Sequence, residues 1–389
     1  MSFTRISEIG ETGLIERLAA IVRPTEAFAT GITKGIGDDC AVLKISDGKV
    51  QVATTDLLIE NIHFDLLTAP MRHLGAKALS SNVSDVCAMN ATPLYALVSI
   101  GLSGKISVEM AEEFYRGLAD AAKKYGVAII GGDTSASTSG FVISVTVIGE
   151  TKEPRITYRS GAKAGDLICI TGDLGGAFAG LKILMRERGL MLENQQPDGS
   201  IDTSAYTPDF GDYTAAVERH LLPKARLDIV RLLESKGVVP TSMIDISDGL
   251  SSELKHLCKA SDVGAVIEEN LIPVSGEVRA VAAEFEDDGI NYALFGGEDY
   301  ELLFTLAPAD AEKLFSGGNV DVKVIGKITA ADAGIKLIDV YGQEFNLTEQ
   351  AGFDHFEPKS SAGATDDAAG ELDEDGEDLW GNAEESEMD

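Results

Sequence analysis

Two mixed α/β domains of similar size, rather than one doubly wound sheet, are predicted by three features of the sequence. The chain has 389 residues, more than one core of about 150 residues accommodates. Strand-like and helix-like segments alternate in both halves. A polar run, TKEPRITYRSGAKAGD, follows Glu150 and places a domain boundary at 150–160. Neither glycine-rich turn opens a strand–helix–strand unit with an acidic residue about 20 positions on, so a dinucleotide-binding sheet is poorly supported.

The elements follow from local patterns. Leu14 to Ile21 has helical spacing. GIGDDCAVLKI (35–45) runs from a glycine-rich turn into a short apolar strand, and QVATTDLLIE (51–60) is a strand with a polar end. Arg72 to Met89 is a helix, because Leu74, Ala78, Leu79, Val83 and Val86 recur every three to four residues. LYALVSIGL (94–102) is a strand. Val108 to Tyr125 is the clearest helix, with Met110, Phe114, Leu118 and Ala121 on one face and Gly126 to close it. VAIIGGDT (127–134) reads as strand then turn, and FVISVTVIGE (141–150) alternates as a half-buried strand does. In the second half, strands are expected at 166–172, 243–247, 300–306 and 322–328, and helices at 175–188, 224–236, 249–260 and 276–286. The polar stretch 193–212 (ENQQPDGSIDTSAYTPDFGD) reads as a surface loop or insertion.

Composition excludes several classes. Hydrophobic residues make up 44% of the chain, enough for true cores. The 64 acidic residues against 32 basic ones give a formal net charge of -32, so no nucleic-acid partner is expected: counterion replacement needs basic surface. Cys40, Cys87, Cys169 and Cys258 have no metal or redox spacing and read as small buried residues. There is no apolar run of membrane length and no basic-then-apolar leader, so a cytoplasmic protein without a membrane partner is expected. Residues 361–389 hold 12 acidic and no basic side chains, the composition of a disordered tail.

The aspartates carry the chemistry. Asp38 and Asp39 stand in GIGDD, Thr54, Thr55 and Asp56 follow a strand, and Asp85 lies in an apolar helix. Asp133 follows two glycines, Asp245 and Asp248 bracket Ser247 in DISDGL, and Glu298 and Asp299 stand in GGEDYEL. Any one alone is an ordinary turn or cap residue. Together they differ: a carboxylate beside an apolar face is costly unless paired or metal-bound. Oxygen ligands without a Cys/His set point to several Mg²⁺ ions, and such clusters hold phosphates. No Walker lysine motif and no protein-kinase motif is present. Arg159, in TYRSG, is the best basic candidate for a phosphate contact, with a surface ion pair as its ordinary alternative. His63, in ENIHF, is a binding candidate or a plain loop histidine.

In order along residues 8–356, EIGETGLIERL, GIGDDCAVL, TTDLLIENIHF, KALSSNVSDVCAMNATP, GGDTS, TYRSGAKAGD, IDISDGL, GGEDYELLF and GFDHF resemble the thiamine-monophosphate kinase family. That family lies within a superfamily with aminoimidazole ribonucleotide synthetase and selenophosphate synthetase. The resemblance implies an α/β and α+β two-domain protein: an N-terminal ATP/metal-binding and dimerisation domain at 1–152, a C-terminal α+β domain at 153–358 with the insertion at 193–212, and the acidic tail at 359–389. It implies a homodimer whose N-terminal sheets pair into a barrel-like core. It implies direct transfer of the ATP γ-phosphate to thiamine monophosphate, with Mg²⁺ and without a general base. Asp39, Thr54, Thr55, Asp56, Asp85, Asp133, Asp245 and Asp248 match metal positions; Gly132, Asp133, Arg159 and Ser247 match nucleotide contacts. His63, Glu298 and a late aromatic, Phe353 in preference to Phe356, match substrate contacts. The family often has glycine where this chain has Asn90, and before the histidine where it has Asn61 and Ile62. Two other readings of the same motifs are a cyclising synthetase of the aminoimidazole ribonucleotide type and a non-catalytic nucleotide- or metal-binding regulator.

Overall fold

The computed structural model describes residues 13, 15–16, 31–46, 48–193, 208–318 and 320–347. The expected tail, most of the insertion, and both late aromatics, Phe353 and Phe356, lie outside the described residues.

The N-terminal half builds one sheet and two helices in the order β1 (Ile32–Lys34), β2 (Ala41–Ser46), β3 (Lys49–Ile59), α1 (Met71–Ala88), β4 (Thr92–Leu102), α2 (Val108–Tyr125), β5 (Ala128–Ala136) and β6 (Val142–Lys152). The strands pair as β1-β2-β3-β6-β4-β5, with only β4 and β5 parallel. Alternation sets the faces. Val145, Val147, Val52 and Val98 are buried under the helices, while Leu57, Tyr95 and Leu97 are exposed on the other face. α2 starts at Ser107, whose side chain accepts the Met110 N–H, and stops at Gly126 in the left-handed region. The two helices touch through backbone: a Cβ on Gly117 would stand 1.8 Å from the Arg72 carbonyl oxygen, and one on Gly75 2.0 Å from that of Phe114.

The expected barrel-like core is corrected. The N-terminal sheet is open, with β1 and β5 at opposite edges and four strands between them. A barrel needs first and last strands to pair, and no described sheet closes in that way. The turn expected at Gly131–Thr134 is also corrected, because β5 runs on through both glycines to Ala136.

The C-terminal half follows as β7 (Leu167–Thr171), α3 (Gly176–Glu193), α4 (Thr214–Leu221), α5 (Leu227–Lys236), β8 (Ser242–Asp245), α6 (Leu250–Ser261), β9 (Val263–Glu268), α7 (Gly276–Glu284), α8 (Gly289–Phe295), β10 (Leu302–Leu306), α9 (Pro308–Phe315), β11 (Val322–Ala330), β12 (Ile335–Ile338) and β13 (Glu344–Asn346). Its sheet order is β13-β12-β9-β11-β7-β10-β8. β7, β8 and β10 are buried almost throughout, as sheets covered on both faces are. Among the described residues no helix is long and apolar enough to cross a membrane. All four cysteines are buried and unpaired.

α1 positions the site. It packs on β3 and β6 of its own domain and reaches β8 of the other. The end of this helix therefore stands where the two domains meet. Asn61 and Asn90 have φ of 66° and 54°. Asparagine is among the few residues with a side chain that tolerate that region.

Candidate active site

Three carboxylates meet at this junction. Oxygens of Asp39, Asp85 and Asp245 all lie within 4.8 Å of one another. Asp39 precedes β2, Asp85 sits near the end of α1, and Asp245 ends β8, so both domains contribute. The Thr54 hydroxyl donates to Asp85 Oδ2 at 2.6 Å. Asp245 Oδ2 is buried with no hydrogen-bond partner among the described residues. Burial and the mutual repulsion of the carboxylates push Asp85 well up. Burial first, and then Asp39, push Asp245 up to about 7. Burial raises Asp56 to about 6, against a hydrogen bond from Ser81. A group of carboxylates that resists ionisation in this way has the character of a cation site.

Arg159 caps the cluster. Its Nη2 and Nε donate to the two oxygens of Asp39 at 2.7 and 3.1 Å, a bidentate pair. Its backbone N–H donates to Asp38 Oδ1 at 3.2 Å. The ordinary ion pair anticipated for Arg159 is thus made, but inside the cluster rather than on open surface.

The other expected residues separate into two groups. Thr54 and Asp56 face α1 beside Asp85, and the Asp56 N–H donates to Asn82 Oδ1 at 3.1 Å. Thr55 faces the opposite side of the sheet, where its hydroxyl donates to the Val145 carbonyl and accepts from Thr146. Asp133 lies exposed on the edge strand β5, outside the three-carboxylate group. Gly132 is held against β4: a Cβ there would stand 1.7 Å from the Val98 carbonyl oxygen, so no side chain fits.

The DISDGL and GGED segments, far apart in sequence, are joined through their backbones. The Glu298 N–H donates to the Ser247 carbonyl at 2.7 Å and that of Tyr300 to Ile246 at 2.8 Å. This zipper forces Glu298 and Tyr300 to φ of 59° and 52°, a strained region for such side chains. Below it, Glu253 of α6 accepts the Asp248 N–H at 3.0 Å and the Ser247 hydroxyl at 3.5 Å. Glu298 pairs with Lys77 Nζ at 2.7 Å and faces His220 Nδ1 at 3.2 Å. Burial alone would raise its carboxyl, but Lys77 and His220 together hold it below the ordinary glutamate value. His63 contributes charge to the same carboxylate. Its Nδ1 accepts the Ile59 N–H at 3.1 Å, which leaves Nε2 to carry the proton when the ring is neutral.

Lys77, His220 and Glu253 were not anticipated. A sequence signal existed for Lys77: Lys77, Ser81 and Asp85 recur every four residues and so mark a polar stripe on an otherwise apolar helix.

Comparison with known proteins places this geometry. Residues 37–151 match the family model described as AIR synthase related protein, N-terminal domain, and residues 163–338 match its C-terminal domain. A thiamine-monophosphate kinase of Bacillus subtilis (strain 168) is 30% identical over 338 residues, spanning 86% of this chain and 97% of that protein. One from Aquifex aeolicus (strain VF5) is 36% identical over 301 residues, spanning 77% and 87%. Among solved structures, AaThiL complexed with AMPPCP and TMP superposes with a TM-score of 0.73 at 32% identity, covering 91% of this chain and 100% of that one. The thiamine monophosphate kinase of Aquifex aeolicus gives 0.69 at 32% identity, covering 88% and 100%. By sequence over nearly its whole described length and by fold, the chain belongs to the thiamine-monophosphate kinase family of the AIR synthase related proteins.

Proposed function

We propose that this protein transfers the γ-phosphate of ATP to thiamine monophosphate, yielding thiamine diphosphate and ADP. The observation that carries the reading is the convergence of Asp39, Asp85 and Asp245 from two domains, in a chain whose relative was solved with AMPPCP and TMP. A phosphate oxygen of thiamine monophosphate attacks the γ-phosphorus. The new O–P bond forms as the bond to the ADP oxygen breaks, and ADP leaves with that electron pair. The acceptor oxygen is already ionised at neutral pH, so no side chain has to take a proton from it.

The donor set fits Mg²⁺. It is oxygen-only, and it includes the buried, unpartnered Asp245 Oδ2. Asp39, Asp56, Asp85 and Asp245, with Thr54, would hold the ions; Asp133 and Asp248 are proposed as further ligands, and Thr55, on the opposite face of the sheet, stands apart from them. Bound Mg²⁺ offsets the negative charge that two phosphorylated substrates bring together. Arg159 adds a fixed guanidinium beside the same phosphates. The bare backbone at Gly132 lets phosphate oxygens approach, and Ser247 offers a hydroxyl from a loop that Glu253 holds in place. His63 and Glu298 are proposed to receive thiamine monophosphate.

The test is an assay with ATP, thiamine monophosphate and Mg²⁺, read by chromatography. Thiamine diphosphate and ADP are expected in equal amounts. ATP consumption with phosphate release and no thiamine diphosphate would defeat the reading. We further propose a cytoplasmic homodimer that covers the face bearing Leu57, Tyr95 and Leu97. A monomeric mass in light scattering at micromolar concentration would refute that assembly.

A further inference from the structure

A second cleft lies at the domain junction, on the opposite end of α1 from the carboxylates. Its volume is about 350 Å³, and Arg72, His73, Ser80, Asp120, Lys124 and Lys224 line it. His73 and Asp85 are twelve residues apart on one helix, about 18 Å along its axis. The floor is tied down. The Tyr125 hydroxyl meets Ser80 Oγ at 3.0 Å and accepts the Ala225 N–H at 3.0 Å. Those two bonds join α1, α2 and the segment before α5, so both domains build the cleft.

Its charge runs against the rest of the molecule. Acidic residues outnumber basic ones 64 to 32 in the chain, yet this lining has three fixed cations and one carboxylate. Asp120 accepts from Arg72 Nε at 2.8 Å, so that pair offsets itself and the surplus positive charge rests on Lys124 and Lys224. Lys124 and Lys224 make no ion pair with any described residue, although Lys124 Nζ donates to the Tyr125 hydroxyl at 3.4 Å and lies 4.9 Å from the centre of that ring. Burial, and then the charge of Lys224, lower the Lys124 ammonium from its ordinary value against the opposing pull of the Asp228 carboxylate. His73 Nδ1 is buried without a hydrogen-bond partner among the described residues.

We infer that this cleft binds a multiply charged phosphate anion, separately from the catalytic carboxylates. The cleft lies within the size range of small-ligand sites, about 300–1,000 Å³. An anion there relieves the repulsion of Lys124 and Lys224. It takes hydrogen bonds from Arg72 and His73, and it ties an N-terminal-domain lysine to a C-terminal-domain lysine. Because Asp39 and Asp85 meet Asp245 across the same junction, occupancy also braces the two domains against each other.

The probe is inorganic pyrophosphate, titrated calorimetrically into the full-length protein in EDTA, where the metal-free carboxylates repel anions. One site per chain is expected, with a dissociation constant below about 1 mM. Lys224→Ala, at an exposed position, and Lys124→Ala are each expected to weaken binding by about tenfold or more, with far-ultraviolet dichroism unchanged. Asp85→Asn is expected to leave binding intact. Weakening in either lysine variant upholds the site. No saturation by about 10 mM pyrophosphate, or parent-like affinity in both lysine variants, overturns it, as does loss of binding in Asp85→Asn alone.

Discussion

Lys77 Nζ lies 2.7 Å from Glu298 Oε1 and joins α1 of the N-terminal domain to the strained loop of the C-terminal domain. The lysine is 3% exposed. An ammonium at such a depth is tolerated only because a carboxylate meets it. The same contact holds Glu298 ionised at the place proposed for thiamine monophosphate. Domain docking and the proposed substrate recognition thus share one ion pair.

Lys77→Met is expected to destabilise the protein by about 2 kcal/mol, less than a fully buried pair would cost because Glu298 retains some solvent. Glu298→Gln in the same chain should restore part of that loss. Denaturant melts of the two single variants and the double variant give the coupling energy directly. A coupling near zero would mean that the contact is incidental.

Asp85→Asn removes one of three converging carboxyl groups. Turnover is expected to fall by about a hundredfold or more, while the melting temperature in EDTA stays level or rises. Loss of the metal-dependent gain in melting temperature is the second expected sign. Near-normal turnover at limiting Mg²⁺ would refute the assignment of the cluster.

The raised carboxyls make metal-free stability depend on pH with a definite sign. Asp245 goes from an ordinary 3.8 to about 7, and Asp56 from 3.8 to about 6. Stability from such groups is complete below the unfolded value and is lost as pH rises through the folded one. His220 acts oppositely: burial lowers it from 6.5 to about 4, so its contribution is lost as pH falls through that window. Above pH 6.5 only the carboxylate effect remains. Melting temperature in EDTA should therefore fall between pH 6.5 and 8, and Asp245→Asn should flatten that slope. A rising melting temperature over the same interval would contradict the arrangement.

Much of this was legible in the sequence wherever the signal is local. α2 announces itself through its apolar spacing, and its Ser107 and Gly126 caps are the residues the termini require. The motif aspartates are visible because each stands next to glycine or inside an apolar run. Short elements were missed: α4, α8 and α9 have seven or eight residues, too few turns for periodicity to show. β5 was cut short because Gly131 and Gly132 read as a turn, whereas Gly132 is there to let β4 and β5 approach. Lys77 and His220 matter through Glu298, whose neighbourhood is set by a backbone zipper between two distant loops. No spacing in a single sequence reveals such a partnership. The barrel expectation rested on family likeness and had no residue pattern of its own.

Gly132→Ala tests the close approach of strands. Its Cβ would fall 1.7 Å from the Val98 carbonyl oxygen, so β5 must move away from β4. A loss of about 2 kcal/mol or more is expected, along with weaker ATP binding. Unchanged stability would show that the edge strand shifts freely.

Glu253→Gln and Glu253→Leu separate anchoring from charge. Glu253 is 2% exposed, and its carboxyl is pushed well up, first by burial and then by Asp248. Its work is done by Oε1, which accepts the Asp248 N–H and the Ser247 hydroxyl. Glutamine keeps an acceptor oxygen at that place, whereas leucine fills the space and leaves the Asp248 N–H buried without a partner. Losing such a bond costs about 1–3 kcal/mol, and here the cost falls on the loop proposed to meet the nucleotide. Glu253→Leu is therefore expected to raise KM for ATP by about tenfold, with KM for thiamine monophosphate little changed. Glu253→Gln should stay within about threefold of the parent in both. A purely structural role would lower the melting temperature of the leucine variant and leave its KM for ATP alone. An equal loss in both variants would instead mean that the negative charge of Glu253, and not its acceptor oxygen, is what the loop needs.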